Sequence, residues 1–261
     1  MSHAQEERRA ICDLLAQLGP SQPTLCEGWQ TADLAAHLVL RERRPDASAG
    51  VIGGPLAGYT RRVQAGLNER LPFPRLIHLI RTGPPRYSFF GLPGVDERAN
   101  LVEYFVHHED VRRAQPDWQP RSLSPELADL LWARLGLARL LLRRAPVGVE
   151  LVRADSSPSA ADPTSAGDAS TGDASTGDTS TGATGSSGTI SSGTVSSDSS
   201  TARGANGRVR ITAKARTPMV TVIGDPAELT LWTMGRTEAA AVQLHGNDGA
   251  IAALRASRWR I

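Results

Sequence analysis

Three side chains that could bind a metal ion fall on one narrow arc of a predicted helix. At about 100° per residue, Glu103, His107 and Asp110 share an arc roughly 60° wide, whereas apolar side chains cover most of the remaining circumference. Glu103 and His107 are four residues apart and therefore project side by side, as two ligands of one metal ion would. The alternative is that the arc faces solvent with an ordinary Glu–His pair on it, because Glu-x-x-x-His is a weak motif.

A further histidine lies on a different predicted helix. His37 stands between Leu34 and Leu38, beside an apolar stripe. A single histidine in such a place is more often a hydrogen-bonded core residue than a ligand. In a helical bundle, however, a third metal ligand would come from a facing helix, so both interpretations stay open.

The elements that must position these residues begin with a series of helices. Apolar residues at helical spacing predict a first helix that ends at Gly19-Pro20, and Thr31 is a candidate N-cap of a second that runs to about Arg44. Ser124-Pro125-Glu126 caps a long last helix that reaches Leu142. Between them, helices are predicted over about 60–70, 75–81 and 95–114. Several helices of this length favour an antiparallel bundle over residues 1–145.

The hydrophobic period changes to strict alternation after Pro146. Strands are predicted at 147–151, 209–211, 219–223 and 241–244, and helices after Asp225-Pro226 and over 248–255. We therefore expect a small α/β domain over residues 146–261, which makes the fold class α+β. Residues 155–206 consist almost entirely of Ser, Thr, Gly, Ala and Asp, a composition that predicts a disordered insertion within a β-hairpin.

The composition narrows the classes of function. Lys+Arg is 29 and Asp+Glu is 27, a net charge of +2 that offers no basic excess for nucleic acid. No apolar run approaches the roughly 18 residues that span a bilayer, and the polar start lacks the apolar region of a signal peptide. We therefore expect a soluble, cytoplasmic protein. Two cysteines cannot make a disulfide framework or a Cys-only zinc site, and Cys26 is expected to be a small buried residue under Trp29 rather than a nucleophile.

Three segments resemble the mycothiol-dependent maleylpyruvate isomerase family, which belongs to the DinB/YfiT-like metal-binding bundles. The stretch from Pro23 to Val39 is similar to the Cys-x-Gly-Trp and Asp-Leu-x-x-His-Leu signature of that family. Glu103–Asp110 is similar to its Glu-x-x-x-His-x-x-Asp signature, and Val220–Arg236 resembles its C-terminal domain. The resemblance covers about 1–153 and 207–261.

The resemblance implies a DinB-like bundle that binds a divalent metal ion, usually zinc, through His37, Glu103 and His107. Two imidazoles and one carboxylate leave at least one coordination position open, which is typical of a catalytic site. In the family that position accepts mycothiol, whose thiolate adds to a small electrophilic substrate in a cis–trans isomerisation or is transferred to it. The resemblance further implies that Arg236 reaches the site to bind a substrate carboxylate, the alternative being a solvated helix end.

Some roles stay open at this point. Asp110 either orients His107 through the far ring nitrogen or pairs with an arginine. His108 projects about 100° away from His107 and is either a packing residue or a reserve ligand. The doubled His107-His108 is also similar to an actinobacterial subgroup described only as metal-binding proteins. A metal-binding module without turnover, with an interaction role for its C-terminal domain, is therefore the alternative to a metal- and thiol-dependent enzyme, and a bundle that binds no metal is a third hypothesis.

Overall fold

The computed structural model describes residues 2–44, 57–85, 95–154, 201–203 and 209–257. In this part of the chain a group of helices is followed by a mixed β-sheet with two further helices, which confirms the α+β class. The helices of the first group are α1 (His3–Leu18), α2 (Thr31–Arg43), α3 (Ala57–Arg70), α4 (Phe73–Arg81), α5 (Val95–Arg112) and α6 (Pro125–Arg134). No helix among the described residues is long and apolar enough to cross a membrane.

Local chemistry sets the ends of the first two helices. Ser2 caps α1 through its side chain, and the helix stops before Gly19, whose φ of 82° is a conformation that glycine adopts without strain. Gln30, and not the predicted Thr31, is the N-cap of α2, and its backbone N–H donates to the carboxylate of Asp33. Thr31 is instead fully buried, and its hydroxyl donates to the carbonyl of Gly19 at 2.6 Å.

The helices pack through apolar stripes of the kind that the sequence predicts. Helix α1 packs against α4 and α5, and α2 packs against α3 and α4. The core between them contains fully buried leucine, isoleucine and tyrosine side chains: Ile11, Leu15, Leu34, Leu38, Leu76, Ile80 and Tyr104. This packing fixes α2 and α5, the two helices that carry the candidate ligands, within one bundle.

The prediction of one long last helix from Ser124 to Leu142 is wrong in one respect, because the helix is not continuous. Helix α6 ends at Arg134, and the chain continues as a 3₁₀ turn (Leu135–Leu137), a single turn α7 (Ala138–Leu141) and a second 3₁₀ turn (Leu142–Arg144). Gly136 lies at the break, where its weak helix propensity favours a tighter turn over a continuous helix.

The sheet is formed by β1 (Gly148–Arg153), β2 (Thr201–Arg203), β3 (Val209–Lys214), β4 (Met219–Gly224) and β5 (Gln243–His245), in the order β2-β3-β1-β4-β5. Strands β1 and β3 pair antiparallel, so the hairpin predicted on either side of the insertion is confirmed. Strand β1 pairs parallel with β4 on its other side. Strand β2 falls inside the range predicted to be disordered, because its backbone adds to the edge of β3 without needing apolar side chains. The rest of the predicted insertion, residues 155–200 and 204–206, lies outside the described residues.

Two C-terminal helices, α8 (Pro226–Thr233) and α9 (Asp248–Ala256), complete this part. The described residues on both sides of the insertion cluster into one compact unit. A buried apolar cluster connects α8 with α5 and α6 and contains Leu101, Phe105, Leu127, Leu131 and Leu231. The C-terminal elements are therefore packed directly on the bundle helix that carries Glu103 and His107.

Candidate metal centre

The three candidate ligands converge although they come from two helices. His37 lies on α2, and its Nε2 is 3.2 Å from the Oε1 of Glu103 on α5. The Nε2 of His107, one turn further along α5, is also 3.2 Å from that same oxygen. Both histidines are buried and the Glu103 side chain is 16% exposed, so the arc does not face solvent. The hypothesis of a solvated Glu–His pair is therefore wrong.

The spacing of these donor atoms fits a metal ion. One donor atom from each of His37, Glu103 and His107 can be chosen so that all lie within 4.8 Å of one another. Ligands held at 2.0–2.1 Å in a tetrahedral zinc site are about 3.3 Å apart. The two nitrogen–oxygen distances of 3.2 Å match that separation.

The hydrogen bonding of His107 supports the same fit. Its Nδ1 lies 2.9 Å from the Oδ2 of Asp110, which has no exposed surface and fixes the ring tautomer with a proton on Nδ1. The Nε2 lone pair then faces the carboxylate of Glu103, and two such acceptors attract only if a cation, either a proton or a metal ion, lies between them. The site is therefore built to hold positive charge at this point.

Ionisation of the three groups follows from burial and mutual contact. Burial alone would raise the pKa of Glu103, but hydrogen bonds with His107 and His37 outweigh it and hold that pKa well below the usual range. Burial lowers the pKa of His37. In His107 the hydrogen bonds with Asp110, Cys26 and Glu103 together outweigh burial and raise the pKa well above its usual value. The Glu103 carboxylate is thus ionised and available as a metal ligand. A proton on His107 would compete with a metal ion for the position between the two side chains.

Arg41 is a competing cation. It lies one turn beyond His37 on α2, with its Nε 3.4 Å from the Oε1 of Glu103. Its Nη1 also donates to the side-chain carbonyl of Asn100, which keeps the guanidinium beside the site. Arg41 therefore neutralises part of the Glu103 charge and opposes a second cation there.

Arg236 does reach this region from the C-terminal part. Its Nε donates to the Oδ1 of Asp110 at 2.8 Å, and its Nη2 donates to the Oδ2 at 2.5 Å. The remaining contacts of the guanidinium are with the carbonyl of Met234 and the sulfur of Cys26. Asp110 therefore does both things that the sequence left open, since it orients His107 and pairs with an arginine. Binding of a substrate carboxylate by Arg236 stays a prediction, and most of its donors already have protein acceptors.

Cys26 lies closer to charged groups than the sequence indicated. Its thiol donates to the Oδ2 of Asp110 at 3.3 Å, and its sulfur is 3.9 Å from the Nδ1 of His107. Cys26, His107 and Asp110 form a second group that could hold a metal ion. The Arg236 guanidinium already occupies that group, so a cation is more favourable at the Nε2 side of His107. No helical periodicity could have predicted this contact, because Cys26 belongs to the loop before α2.

The segment that carries Arg236 is held over the bundle by a second ion pair. Arg113, just after α5, contacts both carboxylate oxygens of Glu228 on α8, at 3.0 Å from Nη1 and 2.5 Å from Nη2. The same Nη1 donates to the carbonyl of Ala239, and Glu228 accepts from the backbone N–H of Ala241. These contacts fix the chain on either side of Arg236.

His108 has a structural role away from the centre. It is buried, and its Nδ1 is 2.9 Å from the Oε2 of Glu7 on α1. Glu7 also accepts two hydrogen bonds from Arg121. Of the two interpretations from the sequence, the packing residue is the one that these contacts favour, since His108 points into the interface between α1 and α5.

A cavity of about 940 Å³ borders the candidate metal centre, and its volume is in the range of small-molecule sites. The side chains of His37, Glu103 and His107 all contribute to its wall, together with Cys26 and Arg236. Its apolar wall contains Trp29, Val102, Val106, Leu135, Leu137, Leu140, Leu141 and Met234. A metal ion held by the three ligands would therefore face a space large enough for a substrate.

Comparison of the chain with protein families, with curated proteins and with solved structures found no match.

Proposed function

We propose that this chain is a divalent-metal-binding protein with a DinB-like bundle, in which a metal ion held by His37, Glu103 and His107 activates a low-molecular-weight thiol toward a small electrophilic substrate. The observation that carries the proposal is the convergence of both imidazole Nε2 atoms on one carboxylate oxygen at the wall of a cavity. The resemblance to the mycothiol-dependent isomerases supports zinc as the metal, mycothiol as the thiol, and isomerisation or thiol transfer as the reaction.

The chemistry assigns a task to each group. A divalent metal ion, when bound, would supply the positive charge that keeps a thiol deprotonated near neutral pH. His37, Glu103 and His107 bind it, and three protein ligands leave room for a further one. Asp110 holds the proton of His107 on Nδ1, which keeps the Nε2 lone pair directed at the metal. The apolar wall of the cavity excludes water and so strengthens electrostatic interactions at the site.

A metal-binding module without turnover is the alternative. Such a module needs no cavity beside its metal ligands, and its metal ion would be held best in a site that protein encloses on every side. The cavity that all three ligands border therefore favours the enzyme.

The first test is the metal content of the purified full-length chain, measured by plasma mass spectrometry. We expect close to one equivalent of metal in the wild type and little in Glu103→Ala or His37→Ala. His78→Ala is the matched control, because His78 is exposed on α4 and lies apart from the cavity. Metal retained in both ligand variants, or absent from the wild type after incubation with zinc, would contradict the proposal.

The second test concerns the thiol. The metal-loaded chain is incubated with a cis-unsaturated carboxylic acid and with a general electrophile, each with and without mycothiol. Products are separated by liquid chromatography, which resolves isomers of equal mass, and identified by mass spectrometry. We expect isomerisation or adduct formation that requires both metal and thiol and that is lost in His37→Ala. Stoichiometric metal without any thiol-dependent product would favour the module.

A further inference from the structure

Arg134, the last residue of α6, has a buried donor without an acceptor. Its Nε is shielded from solvent and makes no hydrogen bond among the described residues. Arg43 and Arg210 also have a buried, unpaired Nε, but their terminal nitrogens donate to protein oxygens. Arg134 differs because no described residue accepts a hydrogen bond from any part of its guanidinium. Its terminal nitrogens are not among the shielded atoms, so they are the donors that an incoming acceptor can reach.

Arg134 lines the same cavity as the candidate metal centre. The other two arginines of the cavity wall already have partners, since Arg41 contacts Glu103 and Asn100 and Arg236 contacts Asp110. Within the described residues, Arg134 is therefore the guanidinium of this cavity that is available to an incoming anion. A planar guanidinium with several N–H donors suits a carboxylate.

The residues that follow Arg134 give the cavity a strongly apolar wall. The break at Gly136 turns Leu137 and Leu140 into the cavity, and these side chains remain 64% and 59% exposed. Exposed leucines are costly unless something apolar covers them, and here they line a space of ligand size. The cavity thus combines an unpaired cation with an uncovered apolar surface.

A further charge at the cavity wall restricts the ligand. Glu27 lines the cavity and is exposed. A second negative charge on the ligand would be repelled by this carboxylate. The wall therefore favours a ligand with a single anionic group over a diacid.

We propose that Arg134 anchors the carboxylate of a monocarboxylic substrate whose apolar body lies against Leu137 and Leu140. This inference deepens the proposed function and rests on it, because the metal centre on the same cavity would hold the thiol that reacts with this substrate. The electrophilic substrate is thus expected to be an apolar monocarboxylic acid.

Calorimetric titration of the full-length chain with hexanoate, hexanamide and hexanedioate tests the proposal. We expect the wild type to bind hexanoate most tightly, and Arg134→Gln to reduce that affinity by roughly tenfold or more while hexanamide binding stays the same. Arg134→Lys keeps the charge but loses the planar guanidinium, so its affinity for hexanoate should lie between those of the wild type and Arg134→Gln. Arg255→Gln removes the same charge from an exposed helix end and should bind hexanoate as the wild type does.

Hexanoate bound equally well by wild type and Arg134→Gln would overturn the proposal. Loss of hexanoate binding in His37→Ala but not in Arg134→Gln would also overturn it, since the carboxylate would then be held by the metal centre. Metal content is measured on the same samples. If the protein holds no metal but its hexanoate binding still depends on Arg134, the proposed function is contradicted and the role of Arg134 stands. If the protein holds metal but Arg134→Gln does not change hexanoate binding, the role of Arg134 is contradicted and the proposed function stands.

Discussion

The Nδ1 of His107 lies 2.9 Å from the Oδ2 of Asp110, three residues further along the same helix. This contact decides which ring nitrogen carries a proton and therefore which one can bind a metal ion. Asp110 is in turn held at both oxygens by Arg236, from the opposite end of the sequence. The properties of the candidate centre thus depend on residues that do not touch the metal position themselves.

Replacement of Asp110 by asparagine should weaken metal binding. An amide can no longer stabilise the Nδ1–H of His107 by charge, and loss of such a partner lowers metal affinity by about 10–100-fold. Competition with a chelator of known affinity measures the change. Asp13→Asn is the control, because Asp13 pairs with Arg81 on the exposed side of α1. Equal affinities in the two variants would show that Asp110 does not support the ligand.

Replacement of Arg236 by alanine should destabilise the fold. Asp110 is completely buried, and without the guanidinium its charge loses its main partner. Leaving one charge of a buried pair uncompensated costs about 3 kcal/mol. Urea unfolding monitored by circular dichroism gives the free energy of unfolding, with Arg255→Ala as the exposed control. A loss no larger than in the control would mean that solvent reaches Asp110.

The Glu7 carboxyl should make the stability depend on pH in the acid range. Burial alone would raise its pKa, but the hydrogen bonds with His108 and Arg121 outweigh burial and lower the pKa below its usual value of 4.5. A pKa that is lower in the folded than in the unfolded chain stabilises the fold above pH 4.5, and this contribution is lost as the pH falls through the folded pKa.

Glu7→Gln therefore should reduce the free energy of unfolding by about 2 kcal/mol at pH 7 and show a shallower loss of stability on acidification. Chemical unfolding at a series of pH values between 7 and 3 measures both effects. Glu6→Gln changes the neighbouring residue, whose side chain is 53% exposed, and should leave the curve unchanged. Parallel curves for the wild type and Glu7→Gln would refute the assignment.

Two leucine variants distinguish a side chain that stabilises the fold from one that only lines the cavity. Leu131 is fully buried where α6 meets α8, and Leu131→Ala should cost about 3 kcal/mol. Leu140 lines the cavity with 59% of its surface exposed, so Leu140→Ala should change the unfolding free energy by less than about 0.5 kcal/mol. Thermal or urea unfolding of the two variants measures the difference. A large destabilisation by Leu140→Ala would show that this side chain is part of the core.

The sequence was informative where a regular period connects residues and uninformative where it does not. The i, i+4 spacing of Glu103 and His107 indicated two side chains that project together, and the resemblance added His37 as the third; the structure brings all three together. Periodicity also predicted strands at 147–151 and 219–223, because alternating apolar residues must face one core, and the structure has them at Gly148–Arg153 and Met219–Gly224.

Contacts made by loops and by helix ends were beyond such reasoning. The loop before α2 brings Cys26 to Asp110, and nothing in its own sequence specifies the path of that loop. Likewise, the sequence predicted a continuous helix through Gly136 and so gave no sign that the chain after Arg134 turns along the cavity wall.

The two ion pairs at the end of α5 bear on how the chain can be divided. Asp110 forms an ion pair with Arg236, and Arg113 forms one with Glu228. These pairs hold the C-terminal segment against the helix that carries Glu103 and His107. A truncated chain that stopped after residue 145 would retain His37, Glu103 and His107 and yet leave Asp110 and Arg113 without these counter-charges. The C-terminal part is therefore expected to stabilise the helix that carries the candidate ligands, and the bundle alone should be less stable than the whole chain.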